Sequence, residues 1–353
     1  MLRTRIVGTG FVTGEHRVIN DALSQILETS DAWIRERTGV TERYYVEEGT
    51  ATSDLGVRAA EKAITDAGID RREIDFLVFA TMTPDYYFPG CGGLAQAKLG
   101  LGHVPALDIR QQCSGFIYGL QTCDALLRSG VAKTILFMGA EVHSGFMPWD
   151  REQMRLLFGQ SDQLPTAAQK EWNSRFRDRA VLFGDAGAAI VLRAEEGERG
   201  LVGAKLHADG SAFEQLYVPA AGFAYRPYLS DAQFREGRYV PVMNGRGVFK
   251  MAVTRMPDVI RELCQEKGVA LDDIDLLIPH QANLRISEAV QKALGLPDEK
   301  VFNNIQRYGN TTAASIPIAY HECRKAGRIK PGDLVCFVAM GAGFHWAAAL
   351  MRE

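Results

Sequence analysis

The chain repeats itself, and that repeat limits its architecture more than any other feature. Ala67-Gly68-Ile-Asp-Arg-Arg-Glu-Ile74-Asp75-Phe-Leu77-Val78-Phe-Ala80 returns 200 residues on (68 to 268) as Lys267-Gly268-Val-Ala-Leu-Asp-Asp-Ile274-Asp275-Leu-Leu277-Ile278-Pro-His280. Each copy follows an amphipathic pattern that predicts a helix, over 57–67 and 256–267. In each, glycine is placed to cap the helix C-terminus in the left-handed region. An Ile-Asp pair then turns the chain into an apolar, strand-length run.

The parallel extends further. A helix opens at Cys113 and runs to about 129, Gly130 ends it, and 134–138 predicts a strand closing in Met138-Gly139-Ala140. Downstream, Asn310 precedes a helix to about 325, Gly327 ends it, and 334–340 predicts a strand closing in Met340-Gly341-Ala342. A β-α-β order that occurs twice implies two packed α/β units related by a pseudo-twofold axis. Uninterrupted apolar strands such as 276–278 fit sheets covered on both faces. The division expected is 1–200 and 201–353, with groups from both halves meeting where they join.

One stretch, about 143–179, breaks the repeat and reads as an insertion in the first half. It is rich in Gln, Arg and aromatic residues, and predicts helices over 151–158 and 166–176. It fits either a solvated loop or a lid or subunit contact; Trp149, Phe158, Trp172 and Phe176, which need cover, favour the latter.

Composition narrows the remaining classes. A formal net charge of −3 over 353 residues gives no ground for nucleic-acid binding. No apolar run approaches a membrane span, and the N-terminus enters a strand pattern without the apolar stretch of a signal peptide. The six cysteines, at 91, 113, 123, 264, 323 and 336, form no CxxC pair. Reduced thiols and a cytoplasmic setting are therefore expected, with the cysteines other than Cys113 serving as core packing. No His/Cys/Asp cluster has metal-ligand spacing, and the glycines at 90–93 and 341–343 lack the strand–GxGxxG–helix context of a dinucleotide site. No metal or cofactor is expected.

Cys113 stands in Asp108-Ile-Arg-Gln-Gln-Cys113-Ser-Gly115-Phe, where a strand ends and a helix begins. Unpaired N–H groups and positive partial charge at a helix start push a thiol toward thiolate. His280 follows in Ile-Pro-His-Gln-Ala-Asn and Asn310 in Tyr-Gly-Asn-Thr-Thr-Ala-Ala-Ser. A thiol nucleophile with His and Asn donors suggests covalent thioester chemistry. His16, His103, His143, His207, His321 and His345 have no such setting and read as structural or surface residues.

Across nearly its whole length the chain resembles the 3-oxoacyl-[acyl-carrier-protein] synthase III family of the thiolase-like superfamily. The resemblance is carried by the order and spacing of Thr29-Ser-Asp-Ala-Trp33-Ile-Arg-Glu-Arg37, Phe183-Gly-Asp-Ala-Gly, Val248-Phe-Lys250, Pro279-His280-Gln-Ala-Asn-Leu-Arg285, Gly309-Asn310-Thr-Thr-Ala-Ala-Ser and Gly341-Ala-Gly-Phe344-His-Trp346. It implies a duplicated α/β/α/β/α layered fold, a homodimer, and decarboxylating condensation of an acyl-CoA primer with malonyl-acyl-carrier-protein, which starts fatty acid synthesis. Cys113 is then the acylated nucleophile, with the backbone N–H groups of Cys113 and Ala342 as oxyanion donors. Ala342 departs from the family's usual glycine. His280 and Asn310 become the decarboxylation pair. The resemblance further places Trp33, Arg37 and either Arg177 or Arg179 at the coenzyme A mouth, and Ala282 and Asn283 along the pantetheine channel. Phe88 reaches into the partner's acyl pocket, and Lys250 and Arg285 dock the acyl carrier protein.

The Gln111-Gln112 pair and the insertion depart from the housekeeping pattern. They keep open a specialised relative that uses a medium-chain or aromatic primer, and malonyl-CoA, in secondary metabolism. Relatives that need an extra glutamate near the nucleophile fit less well, because none is evident in the sequence. A non-catalytic partner subunit is disfavoured by the intact Cys113, His280 and Asn310, and a cysteine protease by the duplicated strand–helix frame.

Overall fold

The computed structural model describes residues 2–353. Two mixed sheets form its frame. The five-stranded sheet runs in the order Leu2–Thr13, Ala186–Glu196, Thr134–Glu141, Phe76–Ala80, Ala106–Ile109. The four-stranded sheet runs Gly200–Ala208, His345–Arg352, Leu334–Gly341, Leu276–Pro279. Position by position the pairings agree: antiparallel, antiparallel, then parallel. The fifth strand of the first sheet is reduced in the second to a single parallel bridge. Ala106 pairs with Leu77, and Val301 pairs with Leu277, 200 residues further on.

The repeated sequence folds the same way twice. Gly68 and Gly268 both take φ 65° and end the helices Thr52–Ala67 and Gly245–Lys267. The side chains of Asp75 and Asp275 then accept from the main-chain N–H of Thr134 and Leu334, at 3.0 and 2.7 Å, which pins the start of the neighbouring parallel strand. Both helices begin earlier than their amphipathic patterns predict. Gly56 and Pro257, poor helix formers, obscured those starts. Gly56 is there for packing, since a Cβ on it would lie 2.6 Å from the Phe79 ring.

Between the sheets lie two buried helices, Gly115–Arg128 and Ser315–Lys325. Phe116 stands edge-on to Phe137 of one sheet and to Phe337 of the other, with ring centroids 5.7 and 5.3 Å apart. This joins both halves in one core cluster that also includes Ile6, Leu120, Ile278 and Tyr320. The helix Thr52–Ala67 covers the outer face of the first sheet. The helices Gly245–Lys267 and Leu284–Leu294 cover that of the second. The layers are thus helix, sheet, helix pair, sheet, helix.

The insertion does not form a solvated loop. It forms the helices Arg151–Leu157 and Ala167–Ser174, and its Met147, Trp149, Leu156 and Leu157 are buried in one cluster with Leu23, Ile26, Leu27 and Ile34 of the N-terminal region. Phe158 stacks on His16 at 3.8 Å, and Trp172 stands edge-on to Phe176. Asn173 Nδ2 donates to Ile26 O and to Gln153 Oε1, at 3.1 and 2.6 Å. The aromatic residues are therefore covered largely by their own chain.

Each repeated Met-Gly-Ala ends where the two halves cross. A Cβ on Gly139 would lie 2.7 Å from Ala313 O, and one on Gly341 would lie 2.8 Å from Cys113 N. Replacement of Gly139 by alanine is expected to cost about 1–3 kcal/mol through overpacking, seen as a lower melting temperature. An unchanged melting temperature would mean that the halves do not approach this closely.

Candidate active site

The turn before each central helix is duplicated along with the frame. Gln112 and Thr312 both take φ 49°, the left-handed region that side-chain-bearing residues rarely adopt, and each opens a short 3-10 turn. Such a conformation costs of order 1–3 kcal/mol and persists where surrounding structure enforces it. Here each turn is pressed against the glycine-ended strand of the other half. One turn carries Cys113; the other lies two residues beyond Asn310.

Cys113, His280, Asn310 and Ala342 line one cavity of about 870 Å³, together with Met82, Tyr87, Phe213, Tyr228 and Phe249. The first three are almost wholly buried, at 9, 3 and 6% exposure. Gly341 passes directly beside the Cys113 turn.

His280 ends the strand Leu276–Pro279, and its backbone N–H donates to Val338 O at 2.8 Å. Its Nδ1 pairs with Ser315 Oγ at 2.7 Å. The only other recorded partner of that hydroxyl is a donor, the Gln281 N–H at 3.4 Å, so its own hydrogen goes to Nδ1. Nε2 therefore carries the ring hydrogen, and it is buried without a partner. Burial pushes the imidazole down to about 3, so it is neutral at physiological pH.

Asn310 is fixed through its backbone, which bridges Phe183: Asn310 N donates to Leu182 O at 2.8 Å and Gly184 N to Asn310 O at 3.1 Å. Its Oδ1 accepts from Thr312 N at 2.9 Å, which leaves the amide NH₂ to face the cavity. Asn310 thus belongs to the strained turn and does not cap the following helix, which starts at Ser315.

The expectation of a lowered Cys113 thiol is overturned. Burial, and secondarily the nearby Glu141 carboxylate, push it up to about 12. The helix proper begins only at Gly115, two residues past the sulfur, and desolvation prevails. Glu141 was also missed in the sequence, where no glutamate stood near the nucleophile. It is wholly buried and accepts from Thr81 Oγ1, Thr83 Oγ1, Met82 N and Thr83 N at 2.6–3.1 Å, so its oxygens are occupied. It does not line the cavity. The cavity walls hold two further groups passed over in the sequence, Arg110 and His345; His143 is buried and does not line the cavity.

At the protein surface, Trp33 lies between two guanidinium groups, Arg37 at 4.7 Å and Arg177 at 4.4 Å from its ring. That separates the two candidates: Arg179 turns instead to Phe176 and Asp178. The Trp33 helix, Asp31–Thr38, is capped by Ser30 and tied to the second half by Asn283 Nδ2, which donates to Arg37 O at 2.9 Å. Asn283 also caps the helix Leu284–Leu294 and, with Ala282, lines the cavity. Lys250 and Arg285 are exposed, and Phe88 is 78% exposed.

A family profile for the C-terminal part of 3-oxoacyl-[acyl-carrier-protein] synthase III matches residues 264–353, and the profile for synthase III itself matches 107–161. The chain is 40% identical over 353 residues to a beta-ketoacyl-[acyl-carrier-protein] synthase III of Rhizorhabdus wittichii, covering all of both proteins. The chain belongs to the 3-oxoacyl-[acyl-carrier-protein] synthase III family. The crystal structure of the Aquifex aeolicus synthase III superimposes with a TM-score of 0.84 at 38% identity, covering 99% of this chain and 100% of that one. The priming beta-ketosynthase of the R1128 polyketide pathway has a TM-score of 0.83 at 25% identity, over 99% and 96%. The fold is therefore the thiolase-like fold. Among the described residues, no helix is long and apolar enough to cross a membrane, and no group of three or more His, Cys, Asp or Glu is placed to hold a metal.

Because the Cys113 thiol is held protonated, its alkylation by iodoacetamide should rise about tenfold per pH unit from 7 to 10, with no plateau. Peptide mass spectrometry on the Cys113 fragment reads this directly. A plateau below pH 9 would show a thiol activated by the helix start after all.

Proposed function

We propose that the protein is a C–C bond-forming acyltransferase that condenses an acyl-CoA primer with malonyl-acyl-carrier-protein, releasing carbon dioxide and a 3-oxoacyl thioester. The observation that carries this reading is the pair of unengaged donors, His280 Nε2 and the Asn310 amide, lining the same cavity as a buried thiol.

Cys113 attacks the primer thioester, and one thioester replaces another with little change in free energy. The oxygen of the tetrahedral intermediate is held by the backbone N–H groups of Cys113 and Ala342, two residues that line the same cavity. Coenzyme A leaves and the malonyl group enters. Loss of its carboxylate places charge on the thioester oxygen, and a neutral imidazole N–H with an amide N–H stabilises that enolate. A charged imidazolium is not needed, in keeping with the burial of His280. The enolate carbon then attacks the acyl group on Cys113.

Trp33 between Arg37 and Arg177 offers an aromatic face and positive charge for the adenine and phosphates of coenzyme A. Exposed Lys250 and Arg285 supply charge for an acidic carrier protein. Phe88 is 78% exposed, free to complete the acyl pocket of a second copy in a homodimer. A cytoplasmic location follows from the substrates. The specialised alternative is separated by the primer, acetyl against a medium-chain or aromatic acyl group.

Intact-protein mass spectrometry with acyl-CoAs from acetyl to dodecanoyl tests the reading. A single adduct absent in Cys113→Ala, discharged by malonyl-carrier-protein, is expected; an adduct retained in Cys113→Ala would refute the assignment. Preference for medium-chain or aromatic primers and malonyl-CoA would select the specialised alternative. His280→Ala should still acylate but condense about 100- to 1000-fold more slowly, the usual loss for one oxyanion donor. Arg285→Glu should slow turnover with the carrier-protein donor far more than with malonyl-CoA; equal slowing would count against docking there.

A further inference from the structure

A long excursion in the second half takes no part in the chemistry above. The two-residue strands Leu216–Tyr217 and Val242–Met243 pair antiparallel, and residues 218–241 leave the fold between them. Its base is pinned by Ala220 N, which donates to Arg238 O at 3.1 Å, and by Asn244 N, which donates to Gln215 O at 2.8 Å. Within it only Asp231–Arg235 is helical. Connections this long with so little secondary structure are usually functional. This one presents Phe223, Tyr225, Tyr228, Leu229 and Phe234 as exposed side chains.

The far end of the excursion folds back onto the first half. Phe223 and Tyr228 close on Tyr87, with ring centroids 5.3 and 5.9 Å from it and 4.9 Å from each other. Both contacts with Tyr87 are edge-to-face, the arrangement aromatic quadrupoles favour. The Arg110 guanidinium faces the Tyr87 ring at 5.7 Å. Tyr87, Arg110 and Tyr228 line the cavity that holds Cys113, as do Val218, Gly222 and Pro241, whereas Phe223 does not. The two tyrosines therefore bound the cavity, and Phe223 backs them from outside.

The excursion is also seated on the insertion. Gly237 takes φ 72°, and a Cβ on it would lie 2.5 Å from Phe176 Cζ and 3.1 Å from Trp172 Cζ2, so two rings of the insertion press directly on its backbone. Arg177, next in sequence to Phe176, covers Trp33. That mouth and the aromatic clasp come from opposite sheets. Ala282 and Asn283 follow the strand Leu276–Pro279, and Asn283 is tied to Arg37 beside Trp33. Tyr87 and Arg110 follow the strands Phe76–Ala80 and Ala106–Ile109. A thioester that enters along the mouth and reacts at Cys113 sends its acyl chain onward, toward the clasp.

We propose that Tyr87, Tyr228 and Phe223 are specificity-determining residues. Their rings form an end wall that limits the length of the primer's acyl chain, and the insertion holds that wall in place through Trp172 and Phe176. Both features that depart from the plain repeated frame, the insertion and the aromatic excursion, then serve one purpose.

The wall rests on the reading of Cys113 as the acyl acceptor, and the two fail separately. If no acyl-CoA acylates the native protein, that reading fails. If the native protein is acylated and the variants keep its primer profile, only the wall fails. Single-turnover acylation of the full-length protein is followed by intact-protein mass spectrometry with acetyl-, octanoyl- and dodecanoyl-CoA. Phe223→Ala and Tyr228→Ala should each raise the ratio of dodecanoyl to acetyl rates about tenfold or more, the scale on which apolar pockets discriminate. Tyr228→Phe keeps the ring and should restore the native ratio. Trp172→Ala removes a ring that does not line the cavity, and should raise the ratio in the same direction. Each ratio is taken within one variant, so a loss of folded protein cancels. Phe223 is 65% exposed, so its truncation leaves the core intact. An unchanged or lowered ratio in both Phe223→Ala and Tyr228→Ala would overturn the wall, and a native ratio in Trp172→Ala would overturn the part given to the insertion.

Discussion

Everything at the centre of this molecule depends on one close contact made twice. The strand ending at Gly139 leaves no room for a side chain beneath the turn at Ala313, and the strand ending at Gly341 leaves none beneath the turn at Cys113. Each half thereby holds the other half's turn in a conformation that it would not keep alone. The left-handed Gln112 and Thr312 are the visible cost, and the core around Phe116, Phe137, Phe337 and Tyr320 offsets it. A site shared between two such turns cannot be loosened in one half without displacing groups from the other.

The electrostatics follow from the same burial. Groups at the joint are far from water, so desolvation dominates: the thiol of Cys113 is pushed up, and the rings of His280 and His143 are pushed down, to about 3 and about 4. Uncharged partners are what the proposed chemistry calls for. Hydrogen-bond donors fixed in a dry cavity stabilise developing charge more than mobile water does, and they need no reorganisation as the charge appears. The outer rim has the opposite character, with Trp33 between Arg37 and Arg177, and with exposed Lys250 and Arg285.

Much of the frame was legible beforehand. Gly68 and Gly268, the two Ile-Asp turns and the two Met-Gly-Ala endings each mark a local event with its own physical signature, and local signatures survive in sequence. The helix starts at Thr52 and Gly245 were less legible, because packing demanded a glycine at position 56 and the second helix tolerates Pro257. The fate of the insertion was likewise hidden. Whether Trp149 and Phe176 face solvent, a second subunit or their own chain is a matter of what lies opposite, and Leu23, Ile26 and Ile34 come from well over a hundred residues earlier.

By itself the sequence determined the duplicated α/β frame, the family, and the candidacy of Cys113, His280 and Asn310, because each rests on spacing and residue type along the chain. Only the tertiary structure decided their states. Burial at the joint outweighed the helix start at Cys113, Ser315 set the tautomer of His280, Thr312 turned the Asn310 amide, and Arg177 rather than Arg179 met Trp33. These are properties of neighbours distant in sequence, and a proton's location is set by what surrounds it in space.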